Sequence, residues 1–195
     1  GIKPYYFQMD VCDGELSKSG SSSKAYDVTF FGSYLPQGHR IEWLKKINEK
    51  IPVKIFSWNY EEWKKEGFDA EPAVYGFEFN KKVDESKITL GFSVEPNCWG
   101  YWSNRVGKVI CAGGFLLQEY APGMELLVGE AADYFSSPEE AIQKIEFYLE
   151  NDYARQKYVW KARDHAESFS SKTRVAQLMI LCERYLKTGG KEWKI

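Results

Sequence analysis

The chain has 195 residues, 44% of them hydrophobic, and carries 26 Lys and Arg against 28 Asp and Glu for a formal net charge of −2. That length fits one domain with a sizeable core, and the near-neutral balance argues against nucleic acid as a partner. No apolar run approaches the length of a membrane span. Only His39 and His165 occur, so a hydrolase triad or a metal cluster would have to be built almost without histidine. Carboxylate-only metal sites would need a DxD-type spacing, which is absent. The four cysteines, Cys12, Cys98, Cys111 and Cys182, are scattered without CxxC spacing. This predicts a reducing, cytoplasmic setting without disulfides, with Cys111 and Cys182 as core thiols.

Residues 1–26 include Pro4 and a Gly/Ser-rich tract over 17–23, the composition of a linker or mobile N-terminal arm. Residues 27–195 are expected to form the folded domain. The run 27–34 is rich in β-formers and ends in Gly32-Ser33, which predicts a buried strand. A turn over 36–38 leads to a helix over 40–50, with Ile41, Leu44 and Ile47 on one face. A second strand is expected over 53–58 and a polar, solvated helix over 60–67. Residues 73–79 are ambiguous between strand and loop, and 80–85 read as a polar helix or turn. A third strand covers 87–93, and a loop rich in Pro, Gly and Trp follows over 94–102.

The segment from Ser103 to Tyr120 carries the most chemistry. Ser103 reads as the N-cap of a short helix, Gly113-Gly114 close it, and an apolar strand follows. Arg105 and Lys108 lie in the first turns, one helical turn apart. Free backbone N–H groups and the positive end of the helix dipole already favour an anion there. The arrangement points to a phosphate-bearing ligand. Beyond it, a short strand is expected over 133–135. Ser137-Pro138-Glu139-Glu140 announces a helix to about residue 150. Two more helices are expected over 153–169 and 171–187, wrapping back over the sheet or reaching a neighbouring domain.

Short apolar strands alternating with helices predict an α/β domain, a Rossmann-like parallel sheet covered by helices on both faces. Ligands of such sheets sit at the carboxyl ends of the strands, where the loops 32–40, 91–105 and 119–125 would converge.

The ordered series Phe30-Phe31-Gly32-Ser33 with Arg40, Ser86 to Leu90, Asn104-Arg105, Gly113 to Leu117, Tyr120 to Glu125, Ser137 to Glu140 and Ser168 to Arg174 resembles the C-terminal domain of GT-B glycosyltransferases. Within these it is most similar to the CgeB-like branch near group 1, over residues 27–186. The resemblance implies a domain that binds a nucleotide-diphosphate sugar of UDP or GDP type, without a metal. It implies that Gly32 and Ser33 bring backbone to the donor phosphate, with Arg40 near that loop. Ser103, Asn104 and Arg105 would hold the diphosphate at the helix start, with Arg105 as the catalytic residue that stabilises the leaving group. Tyr75, Gly76 and Phe77 match a base-facing stretch, and Tyr120 and Glu125 would border the sugar. Lys108 stands where much of the family has Glu, so it would join the phosphate site rather than the ribose. The acceptor, a glycan or small molecule, and the catalytic base would belong to an N-terminal domain that this chain lacks.

Plainer readings stand beside these. Arg105 could pair with a surface acid, Lys108 could be solvated, and Arg40 could merely start a helix. The Trp99 and Trp102 pair could pack on its own domain. His39, without a visible partner, reads as a solvated loop histidine, and Glu119 and Glu125 as loop carboxylates. Functionally, the alternative is a degenerate nucleotide-binding or protein-interaction module without catalysis.

Overall fold

The computed structural model describes residues 23–101 and 103–189. Residues 1–22 of the arm expected over 1–26, and Trp102, lie outside them. Six strands form one parallel sheet: β1 (Tyr26–Phe31), β2 (Lys54–Ser57), β3 (Asp69–Pro72), β4 (Ser86–Gly91), β5 (Leu116–Glu119) and β6 (Ala132–Phe135). Their spatial order is β3-β2-β1-β4-β5-β6. Phe30 registers against Ile55 on one side and Leu90 on the other. The chain therefore starts at the centre, builds outward one way, and returns to build the other way. The reversal between β1 and β4 opens a crevice at their carboxyl ends, where doubly wound sheets bind ligands.

Strand side chains alternate between two cores because successive residues face opposite sides. Phe30, Ile55 and Leu117 enter one core with Leu44, Ile47, Trp63 and Ile145, from helices α1 (Arg40–Asn48), α2 (Tyr60–Lys65) and α6 (Pro138–Glu150). Phe31, Phe56 and Leu116 enter the other with Phe79, Val83, Val109 and Ala162. These come from α3 (Gly76–Asp84), α4 (Asn104–Cys111) and α7 (Asp152–Ala166). A short α5 (Met124–Leu127) and a long α8 (Ser171–Thr188) complete the set.

Several expectations change. Residues 73–85 resolve into one helix, α3, which begins at Gly76 in a left-handed conformation, φ +53°. β3 was not legible, since Ala70 is its one buried residue. Lys54 of β2 holds it from the side, its Nζ 2.7 Å from both Asp69 and Glu71. The helix over 60–67 is not wholly solvated. Trp63 is fully buried and makes edge contacts with Phe30, Tyr34 and Phe68 at 5.2–5.9 Å. Cys111 is buried as expected, but Cys182 is exposed on α8 because nothing described packs over that helix.

Candidate functional site: a cationic cleft at the carboxyl edge

The exits of β1 and β2 are tied to each other before any ligand is considered. Asn59, just past β2, accepts from the backbone N–H of Tyr34 (2.8 Å) and donates to the Tyr34 carbonyl (3.1 Å). Its Oδ1 also accepts from the Ser57 hydroxyl (2.7 Å). This two-point clamp holds the peptide groups on both sides of Tyr34 and so fixes the backbone of residues 33–35. The Gly32 N–H completes the sheet edge by donating to Phe56 (3.1 Å). It is therefore engaged within the fold, while the Ser33 side chain faces the cleft.

α4 approaches this edge with its N-terminus. Ser103 adopts an extended conformation and its hydroxyl accepts from the Arg105 N–H (3.3 Å), the cap that the sequence predicts. Val106, Val109, Ile110 and Cys111 bury themselves against the sheet, which leaves Arg105 and Lys108 on the side facing the cleft. Arg105 reaches across the crevice between β1 and β4. Its Nε donates to the Phe31 carbonyl and its Nη1 to the Phe92 carbonyl (3.1 Å). The guanidinium lies 4.8 Å from the Phe30 ring centre. Among the described residues no acid forms a salt bridge with it. Burial, and then the neighbouring Arg40 guanidinium, press its pKa down to about 9, which leaves it charged at neutral pH.

Arg40 also lies near the Phe30 ring, 5.8 Å from its centre, and is itself buried. It donates to the Ser33 carbonyl at 3.5 Å, and among the described residues its Nε has no hydrogen-bond partner. Burial lowers its pKa, against the pull of Tyr101 and Glu119. Glu119 is not the loop carboxylate expected. It ends β5, is buried, accepts the Ser93 N–H (2.8 Å) and pairs with His39. His39 therefore has a partner, contrary to the solvated reading. Burial raises the Glu119 pKa, partly opposed by Ser93, His39 and Arg40.

A cleft of about 290 Å³ opens at this edge. It brings together eight of the predicted residues: Gly32, Ser33, Tyr75, Gly76, Ser103, Asn104, Arg105 and Lys108. Two cations and no carboxylate line it. The other four lie elsewhere. Arg40 is buried behind the β1 exit, and Phe77 stands in solvent at the start of α3, 80% exposed. Tyr120 packs edge-on against Tyr134, burial and then the neighbouring Glu125 raise its pKa, and Glu125 itself is exposed. Trp99, from the loop before α4, lies beside Gly123, as the reading of an aromatic packed on its own domain requires.

Sequence reasoning missed Trp58, which lines the cleft, is 69% exposed, and donates its indole N–H to Ser33 Oγ at 2.8 Å. Its place directly after β2 mirrors that of Gly32 after β1, and that parallel was the available signal. The His39 and Glu119 pair, 80 residues apart in sequence, gave none. Among the described residues no group of three or more His, Cys, Asp or Glu is placed to hold a metal ion.

The family model described as glycosyl transferase-like matches residues 39–180. Among solved structures, the fold is similar to sucrose-phosphate synthase from Thermosynechococcus elongatus, with TM-score 0.66 and 8% identity over 86% of this chain and 47% of that one. The GtfA/B complex gives TM-score 0.64 and 12% identity over 91% and 39%. Anabaena Alr3699/HepE in complex with UDP gives 0.61 and 14% over 82% and 49%. This chain thus spans less than half the length of each. No curated protein matches it. By the family match and this architecture, the chain belongs to the glycosyl transferase-like family and folds as the C-terminal, Rossmann-like half of GT-B glycosyltransferases.

Proposed function

We propose that this chain is the donor-binding domain of a metal-independent glycosyltransferase, nearest to the CgeB-like branch, and that its cleft holds the diphosphate of a UDP- or GDP-sugar. One observation carries the reading: the cleft at the strand reversal is lined by Arg105, Lys108 and the capped start of α4, and none of the described side chains that line it is a carboxylate. Anions are favoured at such a helix start, and the Arg105 guanidinium and Lys108 ammonium in the same cleft deepen the potential. Proteins of similar fold support it: Anabaena Alr3699/HepE in complex with UDP and an α1,3-fucosyltransferase with GDP. In this reading Arg105 stabilises charge as it develops on the leaving diphosphate. Ser33, Ser103 and Asn104 supply hydrogen bonds, and Tyr75 and Gly76 face the base. Tyr120 and Glu125 border the sugar only if the third loop moves toward the cleft. The acceptor and the base that deprotonates it belong to a second domain.

Calorimetric titration with UDP, GDP and their sugars tests the reading. Saturable binding is expected, and Arg105→Ala should weaken it by more than about tenfold, the loss of a charge-assisted contact. Because Arg105 also holds two carbonyls, Lys108→Ala serves as the parallel variant, with a smaller loss. A folded chain that binds neither nucleotide would overturn the proposal. That result would favour a non-catalytic module, which has one observation of its own: Arg105 already spends Nε and Nη1 on backbone carbonyls.

A further inference from the structure

Ser33 holds a hydroxyl at the mouth of the cleft, and its hydrogen bonding is asymmetric. Its Oγ accepts from the Trp58 indole N–H at 2.8 Å. Indole nitrogen is a donor only, so the direction of this bond is fixed by chemistry. A serine hydroxyl has one proton to give and room to accept. With an acceptor site of Oγ taken by Trp58, the proton is turned away from the indole. Among the described residues no acceptor meets it. Both partners are held: Ser33 by the Asn59 clamp on Tyr34 and by Arg40 on its own carbonyl, Trp58 by the end of β2. The same cleft contains Arg105 and Lys108.

We propose that Trp58 is a positioning residue for phosphate recognition: its indole N–H fixes Ser33 as a hydroxyl donor aimed at an oxygen of the bound diphosphate. The inference rests on the cleft being a diphosphate site. It assigns specificity for an oxyanion, an acceptor without protons, to a pair of side chains on two adjacent strand exits. A ligand group that itself donates at this point finds one of the two acceptor sites of Oγ already taken, whereas an oxyanion meets the free proton. Pre-setting a rotor before the ligand arrives also lowers the ordering cost of binding.

The test is a double-mutant cycle read by calorimetry, using UDP, GDP and inorganic pyrophosphate as probes on wild type, Trp58→Phe, Ser33→Ala and the double variant. Trp58→Phe keeps an aromatic side chain and deletes the N–H donor together with part of the ring, and the cycle with Ser33→Ala separates the two losses. Because Trp58 is largely exposed, the variant should unfold at the wild-type temperature. Each single variant is expected to weaken the nucleotide, and pyrophosphate with it, by about three- to tenfold, and the double variant should be no weaker than Ser33→Ala alone. Wild-type affinity in Trp58→Phe, additive losses, or a loss confined to nucleotides with pyrophosphate unaffected would overturn the positioning role while leaving the cleft's function intact. Failure of the wild type to bind any probe would instead remove the diphosphate site itself, and this inference with it.

Discussion

Gly32 has an ordinary backbone conformation, so crowding rather than torsion excludes a side chain there. A Cβ would lie 2.5 Å from Phe30 Cζ and 3.0 Å from Arg105 Nη2. The Phe30 ring is fully buried and cannot swing aside. Gly32→Ala is therefore expected to cost about 1–3 kcal/mol, the usual penalty of overpacking. Urea denaturation should show it as a lower midpoint with an unchanged slope. Glu119 offers a second test at this scale. Its carboxyl pKa is raised by burial, so the native state holds that proton more tightly than the unfolded chain does. Stability must then fall as pH rises from the ordinary glutamate value through the raised one. Glu119→Gln, which can still accept from Ser93, should flatten the profile measured between about pH 4 and pH 7. A variant with the wild-type slope would mean that other groups set it.

Elements were legible in proportion to how much of their formation is local. The helix α6 was read from Ser137, Pro138 and Glu140, and the structure shows why: Ser137 Oγ accepts from the Glu140 N–H (3.1 Å) while Glu140 returns a bond to the Ser136 N–H (2.8 Å). β3 was not readable, because Asp-Ala-Glu-Pro becomes a strand only through pairing with β2 and the Lys54 bridges. α3 was split in two, because its left-handed first residue and aromatic start look like a loop. α8 shows the opposite dependence. It forms, yet none of its residues is buried, and Val175, Leu178, Met179 and Leu186 all stand exposed. A chain ending at Ser170 should therefore keep a cooperative thermal transition within about 4 °C of the full chain, a shift corresponding to roughly 1 kcal/mol at this size. A larger fall, seen by circular dichroism, would show that α8 stabilises the body.

For the molecule as a whole, the order of apolar and helical segments was enough to specify a parallel sheet with its loops gathered on one edge, and the structure has that sheet with the strand order reversing beside β1. The capped helix, its two cations and the glycine exit of β1 were equally accessible, since each sits within a few residues of a readable signal. What one sequence could not disclose was pairing at a distance: Trp58 on Ser33, Glu119 on His39, Asn59 on Tyr34. Those contacts depend on which strands become neighbours. They also decide the character of the edge. Because the Asn59 amide grips the peptide groups before and after Tyr34, the mouth of the crevice is carved in advance, like a keyhole in a fixed plate. Whatever docks there inherits a shape that the empty protein already keeps, and adjustment falls to the guest and to the far loop bearing Tyr120.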